Sequence, residues 1–145
     1  MISVSPEYNW NLLAATLMGV QCFYSGLRVY AARRKYNVDY PDMGSGRFAA
    51  KLSDKDWKDF NNIMRTHQNY VEQIPIAISA VLIGGLFNPK LTAILGGVYI
   101  LGRAIYNFGY SRFGPPGRLF GVLFIDVGLL GMLGSNLVGI IKRLM

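Results

Sequence analysis

Residues 8–27 run for 20 positions without one charged side chain, and Arg28, Arg33, Arg34 and Lys35 follow at the end of the run. About 20 such residues, rising about 1.5 Å each as a helix, cross the roughly 30 Å hydrocarbon layer of a membrane. The basic residues follow the run instead of preceding it, and the run is too long for a leader's apolar core, so it reads as a span and not a cleavable signal. Residues 73–87 are a second uncharged run, only 15 long. That span has to begin earlier, among polar residues, and Asn88-Pro89 closes it. Residues 91–110 hold one charge, Arg103, and residues 119–141 hold one, Asp126. Between them Gly114-Pro115-Pro116-Gly117 is a turn that no helix tolerates. The expectation is an all-α membrane protein, one four-transmembrane-helix bundle over residues 1–145, with spans near 8–28, 57–87, 91–111 and 119–141.

Composition agrees. Of 145 residues 52% are apolar and 16% charged, with mean hydropathy +0.27, against about 25% charged in soluble domains. With four spans, Arg28 to Arg65, Arg112 and Arg118 fall on one side, and Lys90, Lys142 and Arg143 on the other. The division is 11 basic residues to 3, leaving Arg103 aside as intramembrane. This bias puts the first and third loops in the cytoplasm and the N-terminus outside or in the lumen. It also accounts for the net charge of +7 without nucleic acid, for which no reading motif is present. One cysteine, Cys22, excludes an intramolecular disulfide, and one histidine, His67, argues against a histidine-built metal site. Residues 44–59 are the only soluble-looking stretch, read as a solvated loop leading into a helix, with Ser53 as N-cap and Asp54 and Asp56 in the first turn.

Polar residues inside the spans carry the functional signal, because ionisable groups at that depth are costly and are kept mostly for function. Arg65, Asn69 and Glu72 stand at i, i+4 and i+7, in a stripe about 60° wide on one helix. A cation, an amide and an anion on one strip suit a small zwitterion. His67 points off that strip, toward a neighbour or the headgroups. Arg103, Tyr106 and Tyr110 repeat the device at i, i+3 and i+7. The bland alternatives are tyrosines as interface anchors and an Arg103 that snorkels or pairs with Glu72 to hold helices together. Asp126, away from any basic cluster, is expected to be structural, bonded to another helix. Gly84, Gly85, Gly96, Gly97, Gly128, Gly131 and Gly134 offer small surfaces for close helix contact and for an oligomer.

Four motifs go further. Arg65-Thr66-His67-Gln68-Asn69 with Glu72 and Pro75, Ser5-Pro6-Glu7-Tyr8, the segment from Ala32-Arg33-Arg34-Lys35 to Tyr40-Pro41, and the segment from Gly102-Arg103 to Gly109-Tyr110 resemble the membrane-associated proteins in eicosanoid and glutathione metabolism. Within that family the likeness is greatest to the third type of microsomal glutathione S-transferase. It covers nearly the whole chain. The resemblance implies a homotrimer with glutathione as co-substrate at each subunit interface, no metal, and a lipophilic electrophile or lipid hydroperoxide arriving through the membrane lipids. Arg65, Asn69 and Glu72 match residues that hold the tripeptide's charged ends and amides. Tyr106 and Tyr110 match pocket tyrosines, Arg103 an arginine near them, and Arg33 a residue reaching the ligand from the adjoining subunit. His67 stands where cysteinyl-leukotriene synthases have Gln. Gln73, also beside the ligand, replaces their tyrosine, so leukotriene specificity is not carried over.

The resemblance also implies an arginine that stabilises the glutathione thiolate just after the third span. Arg118 is the better candidate and Arg112 the other, since the Gly-Pro-Pro-Gly turn blurs the register; Arg34 resembles a second, assisting arginine. The expected activity is that of a membrane glutathione transferase or peroxidase, in the endoplasmic reticulum of a eukaryote or the inner membrane of a bacterium, with its site toward the cytoplasm. Two rivals stand beside it: a non-catalytic lipid-presenting relative, and a small transporter or channel subunit with Asp126 as the working group.

Overall fold

The computed structural model describes residues 5–145. It holds four long helices: α1 Asn9–Tyr36, α2 Asp54–Gly85, α3 Pro89–Phe113 and α4 Leu119–Leu144. Short 3₁₀ turns precede α1, lie in the first loop and link α3 to α4. Three helical stretches, Pro6–Tyr36, Pro89–Phe113 and Pro115–Leu144, are long and apolar enough to cross a membrane. The second helix has the length, 32 residues, or about 48 Å, but its first half is too polar to qualify by composition. Each helix runs past its expected span at one end or both; α1, for instance, continues through Arg33-Arg34-Lys35 to end on Asn37 in the left-handed conformation, φ 53°, while α2 starts earlier than expected and stops two residues short, at Gly85.

Side chains fix the order of the bundle. Asn11 Nδ2 donates to Thr92 Oγ1 (2.8 Å) near the starts of α1 and α3, and Arg28 Nη2 donates to Ser111 Oγ (3.0 Å) near their ends, so those two helices run parallel. Both α2 and α4 run against them: Asn136 Nδ2, late in α4, reaches Ala80 O, late in α2. Local signals start and stop the helices as expected. Ser53 Oγ accepts the N–H of Asp56, Asn88 Oδ1 accepts that of Leu91, and Gly114, at φ 71°, ends α3 before the Pro115–Arg118 turn.

Heptad-spaced glycines bring α3 and α4 together. A Cβ on Gly102 would strike the backbone of Ile125, on Gly109 that of Gly117, on Gly121 that of Tyr106, and on Gly128 that of Leu95 and Tyr99. These contacts set the level of one helix against the other. Of the glycines expected to make close contacts, Gly84, Gly85, Gly96, Gly128 and Gly131 do so, whereas Gly97 and Gly134 have nothing within 4 Å of a Cβ position.

The first loop is folded, not merely solvated. Val38 and Ala49 are buried with Val29, Tyr36, Phe60 and Met64 in a satellite core. Asp42 holds it together, its carboxylate accepting the N–H groups of Gly44, Gly46, Phe48 and Ala49 at 2.7–2.9 Å. Burial works against its charge, but the four donors outweigh it and hold the carboxyl at about 2.

Candidate functional site

Arg103 is the most deeply buried charged side chain among the described residues, 1% exposed. Its Nε donates to Tyr99 OH (3.1 Å), and its Nη2 to Asn69 O (2.9 Å) and to Gln73 Oε1. Its guanidinium lies 4.5 Å from the centre of the Tyr70 ring. Arg103 therefore clamps α2 to α3, and Glu72, the partner considered for it, is exposed without a protein partner. Asn69 Nδ2 donates to Tyr106 OH at 2.6 Å. These bonds fix Asn69, Gln73 and Tyr106 as one wall.

That wall opens into a cleft of about 280 Å³ between α2, α3 and the start of α4, lined by Asn69, Glu72, Gln73, Arg103, Tyr106 and Arg118, with Asp126 at α4. Six side chains selected from sequence thus share one space. Arg118 faces it with no hydrogen-bond partner among the described residues; its guanidinium lies 5.6 Å from the Tyr110 ring centre. Two cations and two carboxylates around a small volume can hold a zwitterionic ligand and leave one guanidinium free for a developing anion.

The stripes do not stay whole. Arg65, expected on one surface with Asn69 and Glu72, bonds Gln68 instead (3.1 Å) and lines a neighbouring cleft with Tyr110, Arg112 and Trp57. Tyr110 does not line the first cleft but borders it with its ring, 5.6 Å from that of Tyr106 and 5.6 Å from the Arg118 guanidinium. Arg112 turns away to that neighbouring cleft and to the α1–α3 side, so of the two candidate arginines only Arg118 lines the first cleft. Arg33 and Arg34 lie apart, beside the first loop. Arg33 is consumed there, donating to Val38 O and Asp39 O and lying 4.2 Å from the centre of the Tyr40 ring, whereas Arg34 is exposed. His67 Nδ1 meets Ser25 Oγ at 2.7 Å, so it faces α1. Cys22 packs half-buried against the main core.

Asp126 is the residue that the sequence reading misplaced. It is exposed on the protomer and lines the same cleft as Arg103 and Arg118, because Gly102 sits against Ile125 and brings α4 level with Arg103. The Gly102 and Gly128 spacing was the available signal.

Residues 11–138 match the MAPEG family, and the chain belongs to it. Human microsomal glutathione S-transferase 2 is 34% identical over 86% of this chain and 78% of its own length. The bovine protein of the same name is 36% identical over 72% of this chain and 66% of its own. Bovine leukotriene C4 synthase is 31% identical over 70% of this chain, which spans 61% of that relative. With three apolar helices of spanning length and this family membership, the protein is an integral membrane protein. The finer likeness to third-type transferases rests on the motif residues alone.

Proposed function

We propose that the chain is a membrane-bound glutathione transferase that also reduces lipid hydroperoxides. The observation that carries this reading is the unpartnered Arg118 guanidinium facing the same cleft as Asn69, Glu72, Gln73, Arg103 and Tyr106. Relatives named for glutathione transfer and for leukotriene C4 synthesis support it.

A thiol with an ordinary pKa of about 8.5–9 is only a few per cent thiolate at pH 7. An arginine keeps its proton, so Arg118 does not act as a base; its charge favours S⁻, and the thiol proton leaves to water. Lowering the thiol by about two pKa units takes about 2.7 kcal/mol, within reach of one close charge in a partly dry site. The thiolate then attacks an electrophilic carbon, forming the C–S bond while a leaving group departs or the resulting anion takes a proton. With a hydroperoxide it attacks the outer oxygen; the alkoxide takes a proton, and a second glutathione converts the sulfenic acid to disulfide and water. Glu72 meets the ligand's ammonium, and Asn69 and Tyr106 its amides.

Glu72 and Asp126 are open on the surface of a single protomer, which favours completion of the cleft by a second copy in a homotrimer. The exposed Arg34, beside Arg33 at the end of α1, would then approach a neighbour's ligand. By charge bias the Arg118 end faces the cytoplasm, which in a eukaryote is the cytosolic face of the endoplasmic reticulum.

Equilibrium dialysis of the detergent-solubilised protein against labelled glutathione, with ultraviolet thiolate absorbance, tests the reading. Expected are saturable binding and a thiolate band that Arg118→Ala removes and Arg112→Ala keeps. Absence of binding, or a band unaffected by Arg118→Ala, would sink it.

A further inference from the structure

A second feature lies on a different face, between α1 and α3. At the basic end of the bundle these helices leave a cleft of about 510 Å³ lined by Tyr24, Arg28, Asn107, Phe108 and Arg112. Further along the same helix pair, toward the other end, follows an apolar cleft of about 420 Å³ lined by Leu13, Leu17, Ile94, Gly97 and Ile100. One rung separates the two, Gln21 Nε2 donating to Ile100 O at 3.2 Å. The groove is open by design of its side chains: a Cβ on Gly97 would touch nothing within 4 Å, and Phe108 and Tyr24 are 63% and 61% exposed. From Arg28 back to Leu13 the groove is about 22 Å long, the reach of most of an acyl chain.

The basic end is built for an anion. Arg28 spends one nitrogen, Nη2, on Ser111 Oγ and keeps the rest of its donors free, and Arg112 stands exposed on the same wall. Beside them Asn107 is only 9% exposed, its Oδ1 has no partner, and no protein group bonds its nitrogen. A buried amide left unbonded costs about 1–3 kcal/mol unless something else completes it. A phosphodiester between two guanidiniums gains charge-assisted bonds, and the neighbouring ester or headgroup hydroxyl meets the amide.

We infer that the α1–α3 groove is a binding site for one anionic phospholipid, with the phosphate at Arg28 and Arg112, the headgroup or ester at Asn107, and an acyl chain along Leu17, Gly97 and Ile100. The site is separate from the glutathione cleft and does not depend on it. Two positive groups at the wet end and an apolar channel behind them, whose one charge, Lys90 at the far end, is paired with Glu7, match a lipid's own polarity.

Native mass spectrometry of the full chain in detergent, with lipid added, decides the matter. The probes are dioleoyl phosphatidylglycerol, dioleoyl phosphatidylcholine, oleate and inorganic phosphate. Expected is one tightly held phosphatidylglycerol per chain, retained over the other three, with Arg28→Gln weakening it about tenfold. Arg47→Gln, a basic change in the first loop, should leave it alone. Gly97→Leu, which fills the channel without touching the charges and meets open space, should also lower retention. Equal retention of phosphatidylcholine, oleate or phosphate overturns the inference, as does a loss on Arg47→Gln matching that on Arg28→Gln.

Discussion

The bundle carries two internal polar clusters, and they are built to opposite ends. Near the starts of α1 and α3, Asn11 Nδ2 donates to Val81 O and Thr92 Oγ1, Thr92 Oγ1 donates to Asn88 O, and Asn136 Nδ2 donates to Ala80 O. Asn11 Oδ1 and Asn136 Oδ1 are buried there without a hydrogen-bond partner among the described residues, the second of them against Gly84, and no charge takes part. This cluster is packed shut, with Asn11 and Thr92 fully buried, and it joins four helices. At the other end Asn69, Gln73, Arg103 and Tyr106 are bonded just as firmly, yet they form the wall of an open cleft to which Glu72, Arg118 and Asp126 add charges that no protein group neutralises. Uncharged polar groups packed shut between helices are structure. Charges aimed into a space and left without partners are capacity for a ligand.

Substitutions in the two clusters should therefore fail differently. The largest effect is expected at Arg118→Ala: turnover with glutathione and a lipophilic electrophile falls about 100- to 1000-fold at pH 7, as when one charge-stabilising donor is removed, while the thermal midpoint in detergent hardly moves. Unfolding in parallel with the lost activity would erase the distinction. Gly84→Ala is the converse. A Cβ there meets Asn136 Oδ1 and Thr92, so stability should fall by about 1–3 kcal/mol, read as a lower midpoint, with turnover per folded molecule unchanged. Next is Glu72→Gln, which removes an unpartnered charge: glutathione affinity measured by dialysis should fall about tenfold and the midpoint stay put. A drop in midpoint would mean that Glu72 has a structural partner after all.

How far the sequence reaches follows the same divide. Span positions, helix caps and the Asn69, Glu72, Arg103 and Tyr106 set come from local periodicity, which one chain displays openly. What escapes is register between helices. Arg65 and Asn69 are neighbours on α2 but belong to different clefts, because α3 and α4 cover only part of the stripe. Asp126 looks isolated in a linear reading since its companions sit on other helices, and it is the Gly102 contact with Ile125 that draws it to them. That Arg118 and not Arg112 lines the cleft likewise follows from the one turn of 3₁₀ helix after Gly114, whose phase no helical period predicts. The folded first loop escaped for a related reason: Asp42 organises it through backbone N–H groups, which leave no pattern of side chains.

Asp42 also supplies the smallest of the expected effects, a test of whether that loop is held shut from within. Its carboxyl titrates at about 2 in the folded loop against an ordinary 3.8, so the folded form prefers the ionised state. A depressed value contributes stability above the ordinary pKa and gives it up as pH falls through the folded one. The contribution should be whole above about pH 4, shrink between about 4 and 2, and be gone below 2. Limited digestion with an acid-active protease reads this directly. The wild-type loop around Asp42 should resist at pH 4 and be cut at pH 2 while the helices stay protected. Asp42→Asn loses the charge and turns one acceptor into a donor facing N–H groups, so it should be cut at both. If Asp42→Asn resisted as well as wild type at pH 4, the satellite core of Val38, Ala49 and Phe60 would be holding the loop without its carboxylate.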